Sequence, residues 1–191
     1  MAALPVFNKR TLRRFTGRSW LLAKMVYPWF GLTVTGQPED RVWYFAFGSN
    51  MHDDAFRKRR GMRPQAWHAA RLGGYRLRFN LRGWPPGKAA PANIEADPDE
   101  EVWGVLYAIS RRELLFLDST EGVPGGNYRH LWARVTTAEG QQFEAVTYIA
   151  RGLPDDGNPS LRYLTLLREG ARAHDLPRAW IERLEAVQHA R

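Results

Sequence analysis

The stretch EEVWGVLYAI, Glu100 to Ile109, limits the possible folds most sharply. Its apolar side chains fall on both faces of an extended chain, so the strand must be covered on two sides, as in a barrel or a sheet beneath helices. Directly after it, Ser110 and Glu113 make an S-x-x-E capping box that opens the helix SRRELLFLDSTE, which Gly122 and Pro124 stop near Glu121. A doubly covered strand feeding straight into a helix is the frame that the other segments must complete.

Those segments are mostly strands. VWYFAF, Val42 to Phe47, is too short and too aromatic for a helix and reads as a buried strand ending at Gly48. NMHDDAFRKRRG then predicts a short helix, with Asp53 and Asp54 in its first turn, Arg57 to Arg60 in its last, and Gly61 and Pro64 beyond. ARLGGYRLRFN is a strand, RGWPPGKAAP a surface loop, and ANIEAD a short strand closed by an Asp-Pro turn. YRHLWARVTT and QFEAVTYIA form a hairpin about residues 138–141. DDGNPS caps a helix SLRYLTLLREGARAH, and Pro177 begins a second, PRAWIERLEAVQHA. Helices interrupt a series of strands without regular βαβ alternation, which predicts an α+β chain on a small curved or closed sheet.

At 191 residues, with 44% hydrophobic and 13% aromatic content, the chain suits one folded domain and not a disordered class. It has no cysteine, which excludes disulfides, thiolate metal sites and a cysteine nucleophile. The net charge of +8 invites a nucleic-acid reading, but its distribution argues against one. Residues 1–36 carry six basic groups and no acid, whereas residues 37–191 carry 22 basic against 20 acidic groups. The expected division is a basic N-terminal arm, residues 1–40, before a domain of residues 41–191. The arm has no apolar run near the ~18 residues of a spanning helix. Lys24 and Pro28 interrupt its faint likeness to a twin-arginine signal, and no cleavage site follows. Either Trp20, Leu21, Met25 and Trp29 pack onto the body, or residues 1–36 dock peripherally to an anionic membrane surface or a protein partner. The expected location is the cytoplasm.

Several groups could do chemistry. A buried strand running through Gly48-Ser49-Asn50 into a helix start can turn unpaired backbone N–H groups outward as a cradle for a carboxylate or oxyanion. Alternatively, Gly48 relieves a tight turn and Ser49 or Asn50 caps a helix. A serine hydrolase built on Ser49 is disfavoured because the G-x-S-x-G elbow is absent. Glu121 lies at a helix end, three residues after Asp118, where dipole, neighbouring charge and partial burial all disfavour ionisation and suit a general base. The alternative is an exposed helix-end carboxylate. Tyr128, after flexible VPGGN, and Tyr148, in VTYIA, could each set a phenol beside a polar ligand or serve as half-buried packing. The five histidines lack metal-ligand spacing. Arg57 to Arg60 with Arg63 read as a solvated face whose position could draw in anions.

YFAFGSNM, ARLGGYRLRFN, ANIEADPDEEVWGVLYAIS, LDSTEGVPGGNY and AVTYIA, in this order, resemble the γ-glutamylcyclotransferase family of the AIG2-like superfamily, over roughly Val42 to Leu184. The resemblance implies a small mixed β-barrel with flanking helices, no metal or organic cofactor, and conversion of a small γ-glutamyl amine or amino acid to 5-oxoproline and free amine. It implies Glu121 as the catalytic acid/base, Phe47, Gly48, Ser49 and Asn50 as the substrate-cradling loop, and Tyr128 and Tyr148 as pocket-lining. Many members carry Tyr where this chain has Phe47, so a contact made by that phenol is missing here. A catalytically silent binding or scaffold module, docked through the basic arm, is the alternative.

Overall fold

A computed structural model describes residues 36–83 and 90–190. The packing of residues 1–35 and most of the loop expected at 82–91 lie outside these. Five strands form a closed barrel: β1 (Arg41–Ala46), β2 (Ala66–Arg78), β3 (Asn93–Ser110), β4 (Arg129–Thr137) and β5 (Gln142–Ile149). Around the barrel the order is β1-β3-β2-β4-β5, and β1 closes it by a parallel pairing of Tyr44 with Val146 on β5. The other pairings are antiparallel, so the small mixed barrel implied by the family resemblance is what forms.

The C-terminal half of β3 is the spine. It pairs with β1 on one side and β2 on the other, and Gly104 to Ser110 are all buried. Its two apolar faces are thus covered, one by the barrel interior and one by helices. Ser110 ends the strand and starts α1 (Arg111–Glu121): its Oγ accepts the Glu113 N–H at 3.2 Å while Glu113 Oε2 accepts the Ser110 N–H at 2.8 Å. Gly122, at φ 71°, closes the helix in the left-handed region that glycine enters without strain. Two further helices among the described residues, α2 (Leu161–Ala173) and α3 (Arg178–Ala186), follow the hairpin, and Ser160 caps α2.

Two expectations are corrected. ANIEAD is not a separate short strand: β3 runs unbroken through Asp97 and Pro98. Between the pairs Gly73–Glu101 and Tyr75–Ala96, four residues of β3 stand opposite Gly74 alone. Pro98 lies in that bulge, where no ladder donor is needed, and the Asp97 carboxylate accepts the Asp99 N–H across it. Nor does one regular helix follow the β1 turn. Ser49–Met51 form a single 3₁₀ turn, His52 is extended at φ −92° and ψ 132°, and Asp54–Arg59 wind as a π-helix. Asn50 and Met51 are both buried, and Phe56, fully buried, stacks on Tyr107 at 4.4 Å, so inward anchoring overrides the local helical pattern.

α2 packs directly on this turn. A β-carbon on Gly170 would meet the Met51 carbonyl carbon at 2.8 Å and the His52 nitrogen at 3.0 Å. Gly170→Ala therefore forces α2 away from backbone that cannot yield, and a loss of about 1–3 kcal/mol is expected on urea denaturation. An unchanged midpoint would show that the helix does not hold the turn.

Candidate active site

Barrel closure brings the end of β1 to the end of α1. Glu121, the last residue of α1, is largely buried, and its Oε1 accepts from Arg60 Nη2 at 2.9 Å and Asn50 Nδ2 at 3.3 Å. Asn50 also donates through Nδ2 to the Tyr44 hydroxyl at 2.8 Å and accepts Arg60 Nε at 2.9 Å on Oδ1. The third nitrogen of Arg60 donates to Thr120 Oγ1. One guanidinium thus uses its whole fork to lock a carboxylate, an amide and a hydroxyl into one arrangement.

Arg60 was grouped in sequence with a solvated basic face. The structure divides that cluster: Lys58 and Arg59 are exposed, whereas Arg60, just past the π-helix, turns inward with a side chain 23% exposed. π-turns commonly occur where a local widening serves a functional site. Asp118 makes its own contacts, its Oδ1 accepting from His130 Nε2 at 2.6 Å and the Tyr148 hydroxyl at 2.7 Å. The charge facing Glu121 is the cation of Arg60.

A pocket opens over Glu121, walled by Phe47, the Gly48-Ser49-Asn50 turn and the tyrosines Tyr44, Tyr128, Tyr148 and Tyr163. All the site residues singled out in sequence meet there, in altered roles. The turn is no helix N-terminus, because its 3₁₀ segment has only three residues, and neither Ser49 nor Asn50 caps it through a side chain. Met51 N–H bonds Gly48 carbonyl and His52 N–H bonds Ser49 carbonyl. The N–H groups of Gly48 and Asn50 keep no partner among the described residues. Besides this free N–H, Asn50 has its side chain bonded to Tyr44, Glu121 and Arg60. Phe47 is buried as pocket wall, without a hydroxyl to offer.

Gly48 lets the Tyr163 hydroxyl come close: a β-carbon there would lie 3.0 Å from it and push the phenol back. Tyr163 also accepts the Ala92 N–H at 3.1 Å, so it joins α2, the start of β3 and the turn. Burial, partly offset by that N–H donor, pushes its phenol up to about 12. Burial first, then the Glu121 charge, raises Tyr44; burial, Tyr163 and Glu121 raise Tyr128; burial and Asp118 raise Tyr148. Tyr148 stands at the pocket as expected, with its proton committed to Asp118, whereas Tyr128 keeps its hydroxyl without a hydrogen bond among the described residues. Sequence reasoning missed Tyr44, Arg60, Asp118 as a ligand of Tyr148, His130 and Tyr163. No local signal distinguishes Arg60 from its cationic neighbours, or Tyr163 from an ordinary amphipathic-helix residue.

No group of three or more His, Asp or Glu among the described residues is placed to hold a metal ion, and no described helix is long and apolar enough to cross a membrane. The pocket is a hydrogen-bonding enclosure with one carboxylate, suited to a small polar ligand with both donors and acceptors.

Comparison with known proteins gives the same direction. The model of the AIG2-like family matches residues 101–184. Human γ-glutamylcyclotransferase is 32% identical over 163 residues, covering 81% of this chain and 83% of the human one. The mouse protein of that name is 31% identical, covering 80% and 82%. A solved structure called γ-glutamyl cyclotransferase superposes with a TM-score of 0.70 at 27% identity, over 79% of this chain and 90% of its own.

The tyrosines give a direct check. Tyr44, Tyr107, Tyr128, Tyr148 and Tyr163 are all raised, so the unfolded chain loses their protons near pH ~10 while the folded one retains them. The unfolded state then binds fewer protons, and stability must fall as pH rises above about 10. In a spectrophotometric titration, phenolate absorbance from five of the seven tyrosines should appear only together with unfolding. Full ionisation in a folded protein at pH ~11 would contradict this site geometry.

Proposed function

This chain belongs to the γ-glutamylcyclotransferase family, and on that premise we propose that it closes the γ-glutamyl moiety of a small γ-glutamyl amine or amino acid into 5-oxoproline, with Glu121 as the acid/base. What supports the reading is Glu121 standing in a pocket of phenols with Oε1 tied to Arg60 and Asn50, which leaves Oε2 as the oxygen able to exchange a proton.

The substrate carries its own nucleophile. Its α-nitrogen attacks its δ-carbonyl carbon, forming the ring C–N bond, and the bond from that carbon to the departing amine breaks. Bound as an ammonium, that nitrogen first gives one proton to the carboxylate and so gains the lone pair that attacks; it becomes strongly acidic on attack and sheds a second, and the departing amine takes up both, leaving as its ammonium form. No serine or cysteine is needed, in keeping with a chain that has no cysteine. The pocket's main task is to hold the head group folded with nitrogen near carbon, an effect worth about 7–11 kcal/mol in well-oriented intramolecular reactions. The N–H groups of Gly48 and Asn50 and the Tyr128 hydroxyl are donors for the substrate's oxygens, including the charge that grows on the carbonyl. Phe47 contributes apolar wall at the turn.

The test is mass-spectrometric detection of 5-oxoproline over γ-glutamyl dipeptides, glutathione, γ-glutamyl polyamines and γ-glutamyl-lysine. The chain should release it from at least one compound, and Glu121→Gln, which keeps the hydrogen-bonding shape, should lower the rate at least ~100-fold with unchanged circular dichroism. Turnover by that variant near the wild-type rate would remove Glu121 from its role.

A further inference from the structure

We infer that Asp118 and His130 are a positioning pair that fixes the Tyr148 hydroxyl as a hydrogen-bond acceptor for the substrate's α-ammonium group. This rests on the γ-glutamyl reading above and adds the direction of a recognition contact and two residues outside the pocket lining. Asp118, 1% exposed, lies on α1 three residues before Glu121. His130 and Tyr148 face each other across the β4–β5 ladder, and both reach Asp118 Oδ1, at 2.6 and 2.7 Å. An ionised carboxylate can only accept, so both partners donate: His130 bears its proton on Nε2, and Tyr148 commits its single proton to Asp118.

That commitment gives the phenol a polarity. With its proton turned to Asp118, the Tyr148 oxygen can only accept from a ligand in the pocket. The α-ammonium of a γ-glutamyl head is a pure donor, whereas its carboxylate and carbonyl oxygens are pure acceptors and would meet a lone pair. The Asp118 charge behind the phenol favours the same cation. Tyr163 has the opposite polarity, because its oxygen accepts the Ala92 N–H and its own proton has no acceptor among the described residues and is left to donate. Two phenols of opposite sense can therefore orient one head group, amine toward Tyr148 and oxygens toward Tyr163.

His130 is the testable member, since it lies outside the pocket lining and keeps a side chain 23% exposed. Removing its N–H leaves a buried carboxylate with one side-chain donor fewer, free to turn and release Tyr148. With γ-glutamyl-L-alanine, or whichever panel compound is turned over, His130→Leu should raise KM about 10-fold with kcat within about twofold, as expected for a lost ground-state contact. His130→Gln, which keeps an N–H donor, should restore KM to within about threefold of wild type. In a Tyr148→Phe background, His130→Leu should change KM by less than about twofold, because its effect passes through that hydroxyl. A fall in kcat at constant KM, a Gln variant no better than Leu, or additive effects in the double variant would overturn the inference. A folded wild type that releases no 5-oxoproline from any compound overturns the γ-glutamyl reading itself and, with it, the ammonium assignment.

Discussion

The three-way contact of Arg60, Asn50 and Glu121 ties together the segment after β1 and the last turn of α1, residues 71 apart in sequence. Each member needs the others. A carboxylate this enclosed requires a cation and donors, a guanidinium requires acceptors in its plane, and an amide buried beneath a tyrosine requires both its ends paired. Barrel closure through Tyr44 and Val146 is what brings them within reach, because Tyr44 is at once a β1 closure residue and the acceptor of Asn50 Nδ2.

Around this contact the pocket is polarised. Glu121 Oε1 is occupied and Oε2 is left; Tyr148 donates its proton to Asp118; Tyr163 accepts the Ala92 N–H and keeps its proton for a ligand. None of these states belongs to glutamate or tyrosine as residue types. They are imposed by neighbours, and they turn four chemically similar phenols into groups of different hydrogen-bonding sense around one carboxylate. For a reaction in which the substrate supplies its own nucleophile, orientation is the greater part of what a protein can add.

Much of the framework was legible in the chain. VWGVLY announced a strand covered on both faces, Ser110 and Glu113 announced the start of α1, and Gly122 its end, because those signals act over a few residues and do not depend on distant partners. The candidate-site residues were legible as a set through their family resemblance, and the structure gathers them. Less legible was the segment after Gly48, where acidic-then-basic patterning indicates a helix but the burial of Met51 and Phe56 yields a 3₁₀ turn and a π-helix. Asp97-Pro98 likewise carries a real turn signal that long-range pairing absorbs as a bulge within one strand.

Sequence by itself determined the doubly covered strand, where α1 begins and ends, and that Glu121 and the Gly48-Ser49-Asn50 turn are the residues to watch. Only the tertiary structure decided that Arg60 pairs with Glu121, that Asp118 holds Tyr148 and His130, and that Tyr163 packs against the turn from a helix more than a hundred residues away. The physical reason is range. Caps and turn glycines are satisfied by neighbours along the chain, whereas the direction of a buried hydrogen bond is set by whichever donor or acceptor the closed barrel brings to the other side.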